Sequence, residues 1–406
     1  MPRHLANNPF VQGAYADVFT PTDPHGDVRT TCRTTIIDLK PWNGTSSYRD
    51  LGSIASGGSI TTNSTTGEIA LTTVALASSA ATLTSRDYAT YQTGSGLDVA
   101  IGIRLSTASF TGTQLARWGL FDGLSGTYYQ IDSTGLSIVQ LRASVATTTA
   151  RASWNIDRLD GTGPSGYTLD LTRGTSFQIT YSLCGHGTLL FSVIVNDTTD
   201  ATQVVLPIHS IVPTSTNATT LPNPCMPLRV ELTNGATSAI ATTLSIGTRT
   251  AQIVAPLRPM IRWSNVMRDA TVSITNTAFT FIMAIRKEDA GRSIRCTLRA
   301  IELLCTNRAA IYQILLNPTV TGGTFTAPTY QTDSHTVLQH NITATGYSGG
   351  TVIYGGTTPL SSYIRVTLSS EDDLTLATGD VWVLQMRSQA GGGNMQIQNL
   401  LFSEEW

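Results

Sequence analysis

Short apolar segments separated by turn-forming residues recur along most of the chain, and this spacing is the strongest constraint on its fold. Residues 189–195 are almost continuously apolar, residues 202–206 form a second such segment, and the polar residues 196–200 between them suit a hairpin loop. No helical period extends beyond about two turns, and there is no heptad run. The pattern predicts an all-β protein built from antiparallel β-sandwich or jelly-roll-like domains.

The composition agrees with strands rather than helices. Only 13% of the residues are charged and 41% are hydrophobic, while Thr, Ser and Gly are abundant. Thr is β-branched, so it loses side-chain freedom in a helix and fits a half-buried pleated surface. We therefore expect strands whose outward faces carry hydroxyl groups more often than charges.

The length of 406 residues is too great for one ordinary sandwich and comfortable for two. We predict an extended N-terminal arm over residues 1–65, a first β-sandwich over 66–255 and a second over 256–406. The prolines at 256 and 259 mark the boundary between the two sandwiches.

The arm is interrupted by prolines and has little apolar patterning, but it carries four aromatic residues, which are Phe10, Tyr15, Phe19 and Trp42. We predict that these side chains contact a partner protein or a neighbouring subunit. The alternative is a strand pair that covers the arm's own domain.

Charge and cysteine content exclude several classes of protein. The net charge of -2 and the pI of about 6.3 give no reason to expect nucleic-acid binding. The five cysteines are odd in number and widely spaced, and they form no CxxC motif, which predicts neither structural disulfides nor a zinc site. We find no signal peptide and no apolar run that could span a membrane, and we expect synthesis in a reducing cytosol.

The motifs that suggest catalysis have ordinary structural interpretations. Ser348 lies in a Gly-Tyr-Ser-Gly-Gly segment similar to a protease nucleophile loop, but no recognisable histidine and acid accompany it. His335 and His340 are five residues apart, so on a strand they would point to opposite faces. Phosphate-binding and metalloprotease motifs are absent. We therefore predict a protein that is not an enzyme and has no cofactor.

Two acidic segments, residues 155–161 and 371–373, could supply oxygen ligands to calcium. The first lacks EF-hand spacing and contains Arg158, which would oppose a cation. We favour a structural turn for the first and a solvated loop for the second.

Aromatic residues offer a route to sugar binding. Trp118, Tyr128, Tyr129 and Tyr167 could stack on a sugar ring, although alternation along the strands favours core packing for the first three. Exposure of these rings in a concave patch would support the sugar-binding interpretation.

Several segments resemble virion structural proteins of tailed phages and large DNA viruses, which are fibre-like or capsid-associated. The segments are residues 81–94, 114–123, 129–136, 153–171, 316–323 and 348–353. The resemblance covers most of residues 66–406 and implies an architectural role without catalytic residues.

These observations together predict a virion surface or appendage subunit, such as a spike, a fibre or a capsid decoration, that acts by assembly and host attachment. We expect a homo-oligomer, most simply a trimer, that binds other virion proteins and a host glycan or receptor. The alternatives are a carbohydrate-binding module and a polysaccharide-degrading tailspike, which would need two carboxylates in a cleft.

Overall fold

The computed structural model describes residues 33–91, 95–182, 186–196, 203–215, 221, 223–253, 261–288, 294–328, 336–368 and 374–405. The chain forms two compact units, unit 1 at residues 1–258 and unit 2 at residues 259–406. Strands dominate both units, and the helical elements among the described residues are two single 3-10 turns, Pro41–Asn43 and Arg151–Ser153. The predicted all-β fold is confirmed.

The described residues of unit 1 form fifteen strands in two antiparallel sheets. The strands are β1 Thr34–Leu39, β2 Asp50–Ala55, β3 Ser59–Asn63, β4 Glu68–Thr73, β5 Ala80–Ala89, β6 Gly96–Leu105, β7 Leu115–Phe121, β8 Gly126–Asp132, β9 Gly135–Arg142, β10 Val145–Ala150, β11 Thr175–Ser182, β12 Leu189–Asn196, β13 Gln203–Ile211, β14 Met226–Thr233 and β15 Thr242–Ile253.

The larger sheet of unit 1 has the order β13-β12-β11-β6-β15-β4-β3, and β1 also pairs with β15. The second sheet, which we call the seven-stranded sheet, has the order β10-β9-β8-β7-β14-β5-β2. One continuous apolar core draws its residues from both sheets. It forms because alternate residues on each strand are apolar and point to the same side.

Large aromatic residues occupy the centre of this core. The Trp118 and Phe177 rings meet edge to face at 5.0 Å, and the Tyr129 ring lies 4.8 Å from Phe177 and 5.4 Å from Phe191. The Tyr129 hydroxyl is 2.9 Å from the carbonyl oxygens of Gln178 and Ser192, so its polar end is satisfied inside the core. The prediction of core packing for Trp118 and Tyr129 is confirmed.

The predicted arm is wrong for residues 33–65. β1 pairs with β15, β2 with β5 and β3 with β4, so this segment supplies three strands to unit 1. The alternative of strands covering their own domain applies here. The reason is long-range pairing with partners up to about two hundred residues away, which local patterning does not reveal. Residues Phe10, Tyr15 and Phe19 lie outside the described residues.

A buried ion pair fixes β2 across the sandwich. Arg249 on β15 points inward, and its Nη2 atom lies 2.5 Å from Oδ1 of Asp50, with the two side chains 1% and 5% exposed. Burial lowers the pKa of Arg249, and Asp50 raises it in part. The Nε and Nη1 atoms of Arg249 have no hydrogen-bond partner within the described part of the chain.

Thirteen strands are formed by the part of unit 2 that the structure describes. They are β16 Ile261–Arg268, β17 Val272–Ile274, β18 Thr280–Lys287, β19 Arg295–Thr306, β20 Ala310–Leu316, β21 Thr319–Thr321, β22 Leu338–Asn341, β23 Gly346–Ser348, β24 Thr351–Thr358, β25 Tyr363–Thr367, β26 Thr375–Leu376, β27 Val381–Ser388 and β28 Gly393–Glu405.

The sheets of unit 2 follow a jelly-roll winding. One sheet has the order β16-β28-β19-β25 and the other β22-β18-β27-β20-β24, so the first long strand pairs with the last and the second with the last but one. Cys296 and Cys305 both lie on β19, nine residues apart, which separates them by about 30 Å along an extended strand. A disulfide between them is therefore geometrically impossible.

Candidate functional site

The outward face of the seven-stranded sheet carries a continuous line of polar side chains. Register pairing aligns one residue from each of six neighbouring strands, β2, β5, β14, β7, β8 and β9. Residues paired in register share a face of the sheet. We call this line the polar row, and its members in strand order are Ser53, Thr82, Glu231, Arg117, Gln130 and Ser137.

Charged groups occupy the middle of the polar row. Arg117 Nη1 lies 3.7 Å from Oε2 of Glu231, and Arg117 Nε donates to Oε1 of Gln130 at 3.2 Å. Arg229, two residues before Glu231 on β14, forms an ion pair with Oε1 of the same carboxylate. Gln130 Nε2 donates in turn to Oδ2 of Asp132 at 2.9 Å. These contacts hold the guanidinium, carboxylate and amide groups in fixed relative positions.

Two aromatic rings form a floor beside these charges. The centroids of Phe121 and Tyr128 are 4.6 Å apart, and both residues are only 2% exposed although they point away from the main core. Together with Val139 and Leu141 they form a separate buried apolar cluster. Arg229 lies 5.3 Å from the Phe121 ring centroid and Arg117 lies 5.3 Å from the Tyr128 centroid. The guanidinium groups therefore lie over the rings in cation–π contact.

Glycines opposite the rings make this arrangement possible. Gly119 pairs with Tyr128, and a Cβ atom at Gly119 would lie 2.7 Å from the Cβ of Tyr128. Gly126 pairs with Phe121 and has no space for a side chain either. The missing side chains leave room for the rings to lie close to the sheet.

The electrostatics of the site follow from burial and from the paired charges. Burial raises the pKa of the Tyr128 hydroxyl, Arg117 lowers it in part, and Glu231 adds to the increase. The charged side chains remain accessible, because Arg117 is 34%, Arg229 28% and Glu231 15% exposed. The Nε atom of Arg229 is buried and has no hydrogen-bond partner among the described residues.

The aromatic residues proposed from the sequence for sugar stacking are not available for it. Tyr128 is covered by Arg117, Tyr129 is 0% exposed in the core, and Tyr167 is half-buried against that core. These rings therefore do not form the exposed concave patch that would have supported the sugar-binding interpretation. What the sequence did signal is Arg117, Arg229 and Glu231 at outward positions of otherwise apolar strands, but their convergence depends on pairing across more than a hundred residues.

The other sequence-predicted residues are dispersed. Trp42 lies in the first 3-10 turn and is 60% exposed, and Ser348 ends β23 just before the Gly349–Gly350 turn. His335 and residues 371–373 are outside the described residues. His340 is buried, with its Nδ1 atom 3.1 Å from the carbonyl oxygen of Thr326. These residues do not form a common site.

The acidic loop at residues 155–161 is a structural turn. Oδ1 of Asp157 accepts from the backbone N–H of Leu159 and Oδ2 from that of Ser165, each at 2.7 Å. Asp160 caps its own turn through Thr162. Among the described residues, no group of three or more His, Cys, Asp and Glu side chains is placed to hold a metal ion. In the same part of the chain, no helix is long and apolar enough to cross a membrane.

Comparison with known proteins gives similarity at the level of fold. No known protein family matches the chain, and no curated protein does. Among solved structures, arcelin-5, a lectin-like defense protein from Phaseolus vulgaris, is 11% identical with a TM-score of 0.33, covering 54% of this chain and 98% of that one.

Two further structures are similar to the same extent. Lectin I-B4 from Griffonia simplicifolia is 14% identical with a TM-score of 0.33, covering 53% of this chain and 99% of that one. A putative beta-glucanase from Mycobacterium abscessus is 10% identical with a TM-score of 0.35, covering 54% and 100%. At these TM-scores the likeness carries no argument about function.

Proposed function

We propose that the chain is a carbohydrate-binding protein without catalytic activity, and that the polar row on the seven-stranded sheet contacts the glycan. The observation that carries this proposal is the in-register line of six polar side chains. Its Arg117 and the neighbouring Arg229 lie over two aromatic rings and form ion pairs with Glu231. Sugar hydroxyls both donate and accept hydrogen bonds, so they match a surface that presents both kinds of group in fixed positions.

A binding role accounts for the site better than hydrolysis. A glycosidase needs one carboxyl group as an acid and a second one as a base or nucleophile. Glu231 is engaged by two guanidinium groups, and Asp132 accepts from Gln130 and from the backbone N–H of Thr134. Both carboxylates are thus used to hold neighbouring groups in place.

The proposal is tested by screening the full chain and its Arg117→Met variant on an array of immobilised glycans. We expect the wild-type protein to bind a subset of glycans and the variant to lose that binding, because Arg117 joins Glu231, Gln130 and the Tyr128 ring. The matched control is Arg104→Met, which removes an arginine paired with Glu68 across strands of the other sheet. Equal binding by wild type and Arg117→Met would contradict the proposal.

A second role, assembly as a virion surface subunit, is favoured by apolar side chains on edge strands. Ile54 on β2, which has β5 as its single neighbour among the described strands, is 62% exposed. In unit 2, Val352 on the edge strand β24 and Tyr363 on the edge strand β25 are also exposed. Exposed edges with apolar residues favour association with further chains. We propose a homo-oligomer, most simply a trimer, that contacts other virion proteins.

The assembly role is tested by light scattering at micromolar concentration, with and without residues 1–32. The deletion stops at residue 32 because removing more would delete β1 and Asp50, which are part of unit 1. We expect an oligomer for the full chain and a folded protein with weakened association for the truncated chain. A monomeric full-length protein would contradict this role.

A further inference from the structure

The accessible part of the polar row has a definite length. Ser53, Thr82, Glu231 and Arg117 come from four successive strands and are exposed or half-buried, whereas Gln130 and Ser137 beyond them are buried. Neighbouring strands are about 4.8 Å apart, so the four positions extend over about 14 Å. This strand spacing is close to the length of one pyranose ring in an extended glycan chain.

We infer that the site binds the end of an extended, linear glycan that runs across the strands, with about one sugar ring at each of the four positions. The inference rests on the proposed carbohydrate-binding function and adds the shape and length of the ligand. Each position offers its own hydrogen-bonding group: a guanidinium at Arg117, a carboxylate at Glu231, and hydroxyls at Thr82 and Ser53.

The two ends of the row differ, and this difference sets the direction of the ligand. At the Arg117 end, the amide of Gln130 is engaged by both Arg117 and Asp132, and Ser137 beyond it is buried. At the other end, β2 is an edge strand with Ser53 and Leu51 exposed. A glycan therefore ends beside Arg117 and continues past β2 into solvent.

Side chains that flank the polar row can contact the faces of the sugar rings. Leu51 pairs with Thr84, which pairs with Arg229, so these three side chains flank the polar row on the same face of the sheet. Leu51 is an exposed apolar group beside Ser53 and can contact the apolar face of the outermost ring. The guanidinium of Arg229 lies beside Glu231, where its paired contacts fix the carboxylate that faces the second ring.

The test measures affinity against ligand length by titration calorimetry on the full chain. The probes are cello-, laminari- and manno-oligosaccharides of two to six rings. For the series that binds, we expect affinity to rise several-fold with each ring up to four and then to stay constant. Affinity that is independent of length, or that still rises between five and six rings, would overturn the inference while leaving carbohydrate binding intact.

A pair of variants locates the ligand on the sheet. Ser53→Trp places a bulky side chain at the outermost position, and we expect the gain from the fourth ring to disappear while binding of shorter ligands is unchanged. Thr148→Trp is the matched control, because Thr148 is exposed on the same face of the sheet but lies on β10, beyond the buried residues Gln130 and Ser137. Equal effects of the two variants would overturn the inference. No binding of any glycan by the wild-type protein would overturn the proposed function as well.

Discussion

The two units use buried polar groups in different ways. Unit 1 ties its two sheets together with a buried ion pair, Asp50–Arg249, and displays the pairs Arg117–Glu231 and Arg104–Glu68 on outward faces. In unit 2, the buried carboxylate of Glu404 accepts from the hydroxyls of Ser264 and Thr336 and from the backbone N–H of Val337. Unit 1 thus depends on an ion pair across its core, whereas the interior of unit 2 holds a carboxylate through hydroxyl and backbone donors.

The largest effect on folding stability is expected from disrupting the ion pair of unit 1. Asp50→Ala leaves the Arg249 cation buried without its partner, and we expect a loss of about 3–5 kcal/mol in the free energy of unfolding. Chemical denaturation monitored by fluorescence measures this loss in the free energy of unfolding. The control is Glu68→Ala, whose half-exposed pair with Arg104 should contribute about 1 kcal/mol or less. The double variant Asp50→Leu with Arg249→Met should recover much of the stability, and a loss as large as that of Asp50→Ala would contradict the explanation.

An opposite effect is expected at Gln398 in unit 2. This residue is fully buried on β28, and neither atom of its side-chain amide has a hydrogen-bond partner among the described residues. Burying an unpaired amide is unfavourable, so Gln398→Met should raise the free energy of unfolding by about 1–2 kcal/mol. Asn399→Met is the control, because the amide nitrogen of Asn399 donates to Oε2 of Glu302 at 2.8 Å. Destabilisation by Gln398→Met would show that the amide is satisfied by bound water.

A smaller difference between the two units is expected in the pH dependence of their folding stability. In unit 1, Nδ1 of His209 accepts a hydrogen bond from the backbone N–H of Asn155 at 3.2 Å, so the ring must be neutral there. In unit 2, Nδ1 of His340 instead donates to the carbonyl oxygen of Thr326. Burial lowers the pKa of His209. The neutral ring is favoured in the folded state, so its contribution is complete above pH ~6.5 and is lost as the pH falls below that value.

His209→Asn tests this difference, because an amide oxygen can accept the same hydrogen bond without titrating. Thermal unfolding of the wild-type protein should show unit 1 losing stability between pH 7 and 5, by about 1 kcal/mol for one hydrogen bond. The variant should lose less over that range. The same slope in both proteins would show that other groups cause the acid sensitivity.

The sequence predicted strands well where large apolar residues alternate or run together. The apolar segment 189–195 matches β12 to within one residue, and the segment 202–206 overlaps the start of β13. The sequence pattern did not predict β2 to β5. These strands contain mainly Ala, Thr, Ser and Gly, so apolar and polar residues alternate only weakly along them. The order of strands within a sheet is decided by pairing between distant segments, such as β14 with β5, and no local pattern carries that information.

The candidate site was less predictable than the fold. Tyr128 and Tyr129 are adjacent in sequence, and adjacent residues on a strand point to opposite faces of the sheet. Tyr129 therefore lies in the core, and Tyr128 lies under Arg117 on the outside. The partner of Arg117, Glu231, is found only once β7 and β14 are known to be neighbours.

In each unit the first strand pairs with the last, and this pairing affects how fast the chain can fold. β1 is completed only when β15 is present, and β16 only when β28 is present. A ribosome must therefore release about 250 residues before the first sheet can close, which at roughly 5–20 residues per second takes at least ten seconds. During that interval β6 and β4 lack their common neighbour β15, and their unpaired edges are exposed to other nascent chains. Sheets with such distant pairings fold slowly, so the yield of native protein should depend on how fast the chain is synthesised.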